Sequence, residues 1–326
     1  MMFANTRSRS WALAAVMAGG LFMVDGPANA ATAKSCDIPK DSQAALSSLS
    51  TLSERRHSVD DLLCASLIGA ALADRNPNDV ALNYEALHAQ VNVLEHIDAT
   101  LDESLYVSPS DYAVTERRWN DAAKRGKTLI GRLQKAAAAN PDIATLIVAQ
   151  QLISASKFTN QLITLKVAAQ GLSDLEAVVK KKPDALHGIA QYMLGRLRLF
   201  MPAFVGGDTA KAVAHLKAAR DSDPGNIEIL RWQAEALMAE RDNAEAQKAL
   251  TAMLPLEPTP TQRQQFADQL RAAAGLATRV NDAALQTALA AKRDALLAAH
   301  PELLARKPTA SSGHGGVDPL TGKSTE

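Results

Sequence analysis

Aromatic residues make up only 4% of this 326-residue chain, so large rings cannot fill its interior. Alanine is abundant instead, and close helix-to-helix approach must supply much of the packing. Neither sign of charge is in excess: 35 Lys and Arg stand against 35 Asp and Glu, for a net charge of +0. Such a balance gives no support for a nucleic-acid partner or an anionic membrane surface, either of which calls for a basic stripe. Alternation of apolar and polar residues over a useful strand length is missing, which excludes a β architecture. Missing too are Gly-x-Ser-x-Gly, His-Glu-x-x-His, a P-loop and Gly-x-Gly-x-x-Gly, and no carboxylate pair is placed near a histidine or cysteine in a way that argues for acid/base work. The chain reads as non-catalytic, with no cofactor and no metal. His88 and His96 share a helix but lie two turns apart, too far for the i, i+3 or i+4 pairing of helical metal ligands.

What is present begins with a leader. Arg7 and Arg9 precede an apolar run from Trp11 to Val24, followed by Gly26-Pro27 and Ala28-Asn29-Ala30. This order is that of a Sec-type signal peptide cleaved after Ala30, with an apolar core short of the ~20 residues a membrane span needs. The expected product is periplasmic. Cys36 follows Ala33-Lys34-Ser35, not a lipoprotein acceptor context, and Cys64 is the only other cysteine. In an oxidising compartment the two are expected to join, closing a loop of about 29 residues at a stabilisation of roughly 3–4 kcal/mol. A redox pair is more often Cys-x-x-Cys, and structural zinc needs two further ligands.

Four sets recur along the mature chain: Leu133/Ala136/Pro141, Leu175/Val178/Pro183, Leu216/Ala219/Pro224 and Leu250/Met253/Pro258. In each, two side chains three apart share a helix face and a proline stops the helix beyond its last turn. The last two sets lie about 34 residues apart, the tetratricopeptide period, and Ala212 and Ala246 match as well. The fold expected is all-α, a right-handed stack of tetratricopeptide-like helix pairs over residues 31–306, bounded by an amino-terminal cap tied by the disulfide. The segment 307–326, rich in Ser, Gly and Pro, reads as a disordered tail. Helices are expected at Ser42 to Ser53, Val59 to Ala73, Ala81 to Leu101, around Trp119 to Ala139, Ala185 to Leu199, Thr209 to Ser222, Ile227 to Glu240, Asn243 to Leu254, Thr261 to Ala277 and Asp282 to Ala299. The apolar pattern from Pro141 to Gly171 is too long for one helix, and a break is expected at Lys157 to Asn160.

One interruption stands out. Phe200 to Asp208, with Pro202 and Gly206-Gly207, adds about five residues to a repeat that otherwise turns directly, and insertions of this kind gather on one face, often the binding face. Tyr192 and Arg196, four apart on the preceding helix, stand together beside it. A ring and a guanidinium so placed suit a carboxylate-bearing or apolar ligand, though ordinary inter-helix packing with a surface arginine is the commoner arrangement. Tyr192, Arg196, Phe200 and Phe204 are the candidate site. Trp119 and Trp232 are further anchors, for a partner or for their own repeats.

The stretch Met201 to Asp208, continued by Lys211, Ala212, Leu216 and Ala219, resembles the Pro-Ala-Leu-x-Gly-Gly-Asp signature of the tetratricopeptide T components associated with tripartite ATP-independent periplasmic (TRAP) transporters. Asn281, Ala288, Lys292-Arg293 and Ala295-Leu296-Leu297-Ala298 are similar to that family's closing helix. The resemblance implies a non-catalytic periplasmic protein that oligomerises as a trimer and works with a TRAP solute-binding protein in handling small, apolar ligands. A general periplasmic scaffold for envelope proteins is the alternative.

Overall fold

The computed structural model describes residues 36–54, 59–103, 109–259, 262–301 and residue 303. The leader, its cleavage site and the tail from 307 lie outside the described residues. Twelve α-helices and no strand occur among those described: α1 (Ser42–Glu54), α2 (Val59–Arg75), α3 (Val80–Glu103), α4 (Pro109–Ala137), α5 (Pro141–Ser154), α6 (Gln161–Lys181), α7 (Ile189–Phe200), α8 (Thr209–Ser222), α9 (Ile227–Ala239), α10 (Asn243–Thr251), α11 (Arg263–Arg279) and α12 (Ala283–Ala299). Each packs on the next in sequence, apart from α10 and α11, whose contact is slight. The odd-numbered helices α3, α5, α7, α9 and α11 also touch in succession, whereas α4, α6, α8, α10 and α12 make no comparable contact with one another. Two layers of helices of which only one closes up form a curved stack, and the closed layer is its inner face.

Short polar side chains start the helices. Asn140 accepts from the N–H groups of Asp142 and Ile143, Asp208 from Lys211, Asn226 from Glu228 and Ile229, Asp242 from Glu245 and Asp282 from Leu285. Each satisfies a donor that the first helical turn leaves open. Leu133, Leu175, Leu216 and Leu250 are all fully buried, so the recurring leucine does occupy one kind of core position. The core is a relay of small clusters: Leu175 packs with Leu194, Leu216 with Tyr192 and Ile229, and Leu250 with Leu230 and Leu270. Cys36 and Cys64 are bonded, their Cα atoms 5.4 Å apart, which fastens the entry segment to α2. No described helix is long and apolar enough to cross a membrane.

The expected break falls where the pattern placed it, between Ser154 and Gln161. The start of α7 differs: expected from Ala185, it begins at Ile189. Leu186 and His187 hold positive φ angles of 50° and 54°, and Gly188 one of 85°. Asp142 Oδ1 accepts the Leu186 N–H at 2.7 Å, tying this turn to the start of α5. Gly188 is needed there twice over, for its φ and because a Cβ would lie 2.7 Å from that of Ser222. At Gly195 a Cβ would come within 2.5 Å of Leu216 Cγ, so its absence lets α7 and α8 close on each other.

Candidate functional site

Three inner-layer helices, α7, α9 and α11, bring together side chains spaced about one repeat apart. Tyr192 lies on α7 facing α9, and its Oη donates to Glu228 Oε1 at 2.5 Å. Arg196, one turn on, donates through Nη1 to Tyr192 Oη at 3.0 Å and stands 4.0 Å from Glu228. The other Glu228 oxygen accepts from Gln265 Nε2 on α11 at 2.7 Å. A second rung joins Arg231 Nε to Gln269 Oε1 at 2.9 Å, while Arg231 Nη1 reaches Glu235 Oε2, also at 2.9 Å. The rungs join residues 36, 37 and 38 apart, so the ladder follows the repeat itself.

Trp232 is the centre of the cluster. The Arg231 guanidinium carbon lies 3.2 Å from its ring centroid and that of Arg196 4.6 Å, and the Phe200 ring meets it edge-on at 5.0 Å. Guanidinium groups held against an indole gain from its quadrupole, more so where water is partly excluded. Burial lifts the Tyr192 pKa well above its ordinary value, with Glu228 adding to the effect against the opposing pull of Arg196. Tyr192 is therefore a neutral phenol that donates. Burial opposes the charge of Arg196, yet Glu228, Asp98 and the hydrogen bond to the Tyr192 hydroxyl outweigh it and the Arg196 pKa is raised. Its Nε has no hydrogen-bond partner among the described residues, and about a third of the side chain, 31%, is open to solvent.

Of the four candidates, Tyr192, Arg196 and Phe200 are thus brought together. Phe204 stands apart. It sits at the tip of a short 3-10 turn, Ala203–Val205, and is 86% exposed. The turn is fixed at its base: Arg198 Nη1 donates to Gly206 O at 2.6 Å, the same guanidinium pairs with Glu176 of α6, and Asp208 N donates to Arg198 O at 2.8 Å. Gly206 takes a φ of 105°, and at Gly207 a Cβ would fall 1.7 Å from Met201 O. Both glycines are thereby required by the loop's path.

Glu228, Arg231, Gln265 and Gln269 were not among the sequence candidates. Their one signal was the repeat spacing from Tyr192, and no local motif marks them. Trp119 is buried, its Nε1 donating to Ser154 O at 3.4 Å and its ring meeting Phe158, so it packs within its own unit. No group of three or more His, Cys, Asp or Glu able to hold a metal gathers among the described residues. His88 is exposed, and His215 is bound to Gln191 Oε1 at 2.7 Å.

A protein-family model for the tetratricopeptide repeat matches residues 206–270, the stretch that carries α8, α9 and α10. Among solved structures the chain is similar to a thermophilic tetratricopeptide-repeat protein of Thermus thermophilus, at 18% identity and a TM-score of 0.47, covering 71% of this chain and 99% of that one. It is also similar to a tetratricopeptide-repeat protein of Parabacteroides merdae, at 13% identity and a TM-score of 0.34, covering 79% of this chain and 98% of that one. No curated protein matches the sequence. With its recurring buried leucines and capped helix pairs, the chain is an all-α stack of tetratricopeptide-like helix pairs, and residues 206–270 match the repeat model itself.

Proposed function

We propose that the chain is a non-catalytic binding scaffold that holds another protein against the inner face of α7, α9 and α11. The observation that carries this reading is the ladder from Tyr192 through Glu228 to Gln265, with Arg196 and Arg231 stacked on Trp232. Tyr192 and Trp232 are buried beneath the cluster and hold Arg196, Glu228 and Gln265, which reach solvent, in one arrangement, so these groups lose little side-chain entropy when a partner covers them. A photo-crosslinking amino acid placed at Gln265 in cells should give adducts with a discrete partner, and one placed at Lys217 on α8 should give none of these. Equal yields from both positions would argue against the inner face.

A second reading names that partner. The stretch Met201 to Asp208 and the closing helix resemble the TRAP-associated T components, which supports a TRAP solute-binding protein as the protein held, a homo-oligomeric and trimeric state, a part in uptake of small apolar ligands, and export to the periplasm. Titration calorimetry of the whole chain with the purified solute-binding protein tests it. Saturable binding, weakened at least tenfold by Arg196→Ala, is expected; absence of binding leaves the general scaffold.

A further inference from the structure

The zero net charge conceals a strong separation of sign along the stack. Residues 36–103, which supply α1–α3, contain twelve acidic and four basic side chains. Residues 109–222, which supply α4–α8, contain seventeen basic and nine acidic ones. The remainder to 301 is close to even, with ten acidic and eight basic. One end of the molecule is therefore negative by about as much as its middle is positive.

The boundary between the two is partly neutralised within the chain. Arg132 of α4 pairs with Asp74 of α2 at 2.7 Å, and Lys157 lies 3.6 Å from Asp98 of α3. Six further cations of the outer layer are not neutralised in this way. Arg117, Lys124, Lys127 and Lys135 on α4, Lys166 on α6 and Lys217 on α8 are exposed, and none forms an ion pair among the described residues. On the acidic side Asp37 and Glu85 are exposed and likewise without an ion pair there.

We infer that the outer face of α4, α6 and α8 is a docking surface for a second copy of this chain, which presents its acidic α1–α3 end to it. A chain with no net charge has no long-range repulsion from its own copies, so complementary regions govern the encounter. The complement to this basic face is carried by the same sequence, which favours a second copy over an unrelated acidic protein. The contact joins two different surfaces, so it is heterologous, and it extends into longer species unless the rotation between copies closes. It is separate from the inner-face cluster, does not rest on the reading of that site, and differs from the trimer of the second reading, whose association would not depend on salt.

Sedimentation velocity of the whole chain tests this at about 10 mM and about 1 M NaCl, where the Debye length is roughly 30 Å and 3 Å. The weight-average sedimentation coefficient is expected to rise with protein concentration at low salt and to stay at the monomer value at high salt. The triple variant Lys124→Glu, Lys127→Glu and Lys135→Glu, with an unchanged circular dichroism spectrum, should lose the low-salt association. Mixing it with an Asp37→Lys, Glu85→Lys chain should restore association, because the triple variant keeps its acidic end and the other chain keeps its basic face. A monomer at both salt levels, or association indifferent to salt and to these substitutions, overturns the inference. So does a monomer that instead adsorbs to phosphatidylglycerol vesicles through the same lysines.

Discussion

Asp142 works as a fastener between two helix pairs. It sits in the first turn of α5, and its carboxylate takes Lys182 Nζ at 2.8 Å and the Leu186 N–H at 2.7 Å. Burial alone raises the pKa of such a group, but the hydrogen bonds from Lys182 and Leu186 outweigh it, and the Asp142 pKa is depressed. Asp208 and Asp282 are depressed as well, mainly by the backbone N–H groups of Lys211 and Leu285 that they cap. A depressed carboxylate pKa stabilises the fold above the unfolded-state value of about 4, and that contribution is lost as pH falls through the folded-state value. Urea denaturation followed as a function of pH should show stability falling below about pH 4, with a shallower slope in Asp142→Asn. At the inner face, Tyr192→Phe removes the hydroxyl that links Glu228 and Arg196 and should lower stability by about 1–2 kcal/mol, readable in the same assay. The sequence brought Tyr192 and Arg196 to attention because they lie four apart on one helix. It gave no hint that Glu228 would be their common partner, since that pairing depends on how far apart two helices sit.

At the scale of the element, caps and stops were legible and left-handed turns were not. Asn, Asp and Pro mark helix ends through local hydrogen bonding and a missing N–H, effects that need no distant neighbour. The expected starts of α8 and α9 therefore agree with the structure to the residue. Residues 185–188 carry no such mark beyond Gly188, and a helical continuation from Ala185 was the natural reading. The contact of Leu186 N with Asp142, 44 residues away, decided otherwise. The recurring leucines give a direct test: Leu175→Ala, Leu216→Ala and Leu250→Ala should each cost about 2–5 kcal/mol, because each side chain is fully buried and its loss leaves a cavity between stacked pairs. Gly195→Ala should cost about 1–3 kcal/mol by forcing Leu216 away from α7. Thermal and urea unfolding of these variants measure both effects. A leucine whose removal is neutral would show that its set is not equivalent to the others.

For the whole molecule, the disulfide and the relay of small cores set the character of the stack. The bond between Cys36 and Cys64 spans a sequence separation of 28 and holds the entry segment, where Ile38 packs with Ala45, Leu49 and Leu72. Its reduction, or Cys64→Ser, should lower stability by about 3 kcal/mol, with the loss concentrated in α1–α3 when followed by hydrogen exchange. Helical class, repeat period, the helix starts capped by Asn or Asp and the cysteine pairing were determined by the sequence alone, because each follows from patterns within a few turns or from there being only two thiols. The tertiary structure decided which face holds the aromatic and guanidinium cluster, that Phe204 stands apart from Tyr192 and Arg196, and that the exposed cations of α4, α6 and α8 share the outer layer. Those outcomes depend on the curvature of the helix layers and on distances between residues a full repeat apart, and a linear pattern does not encode either.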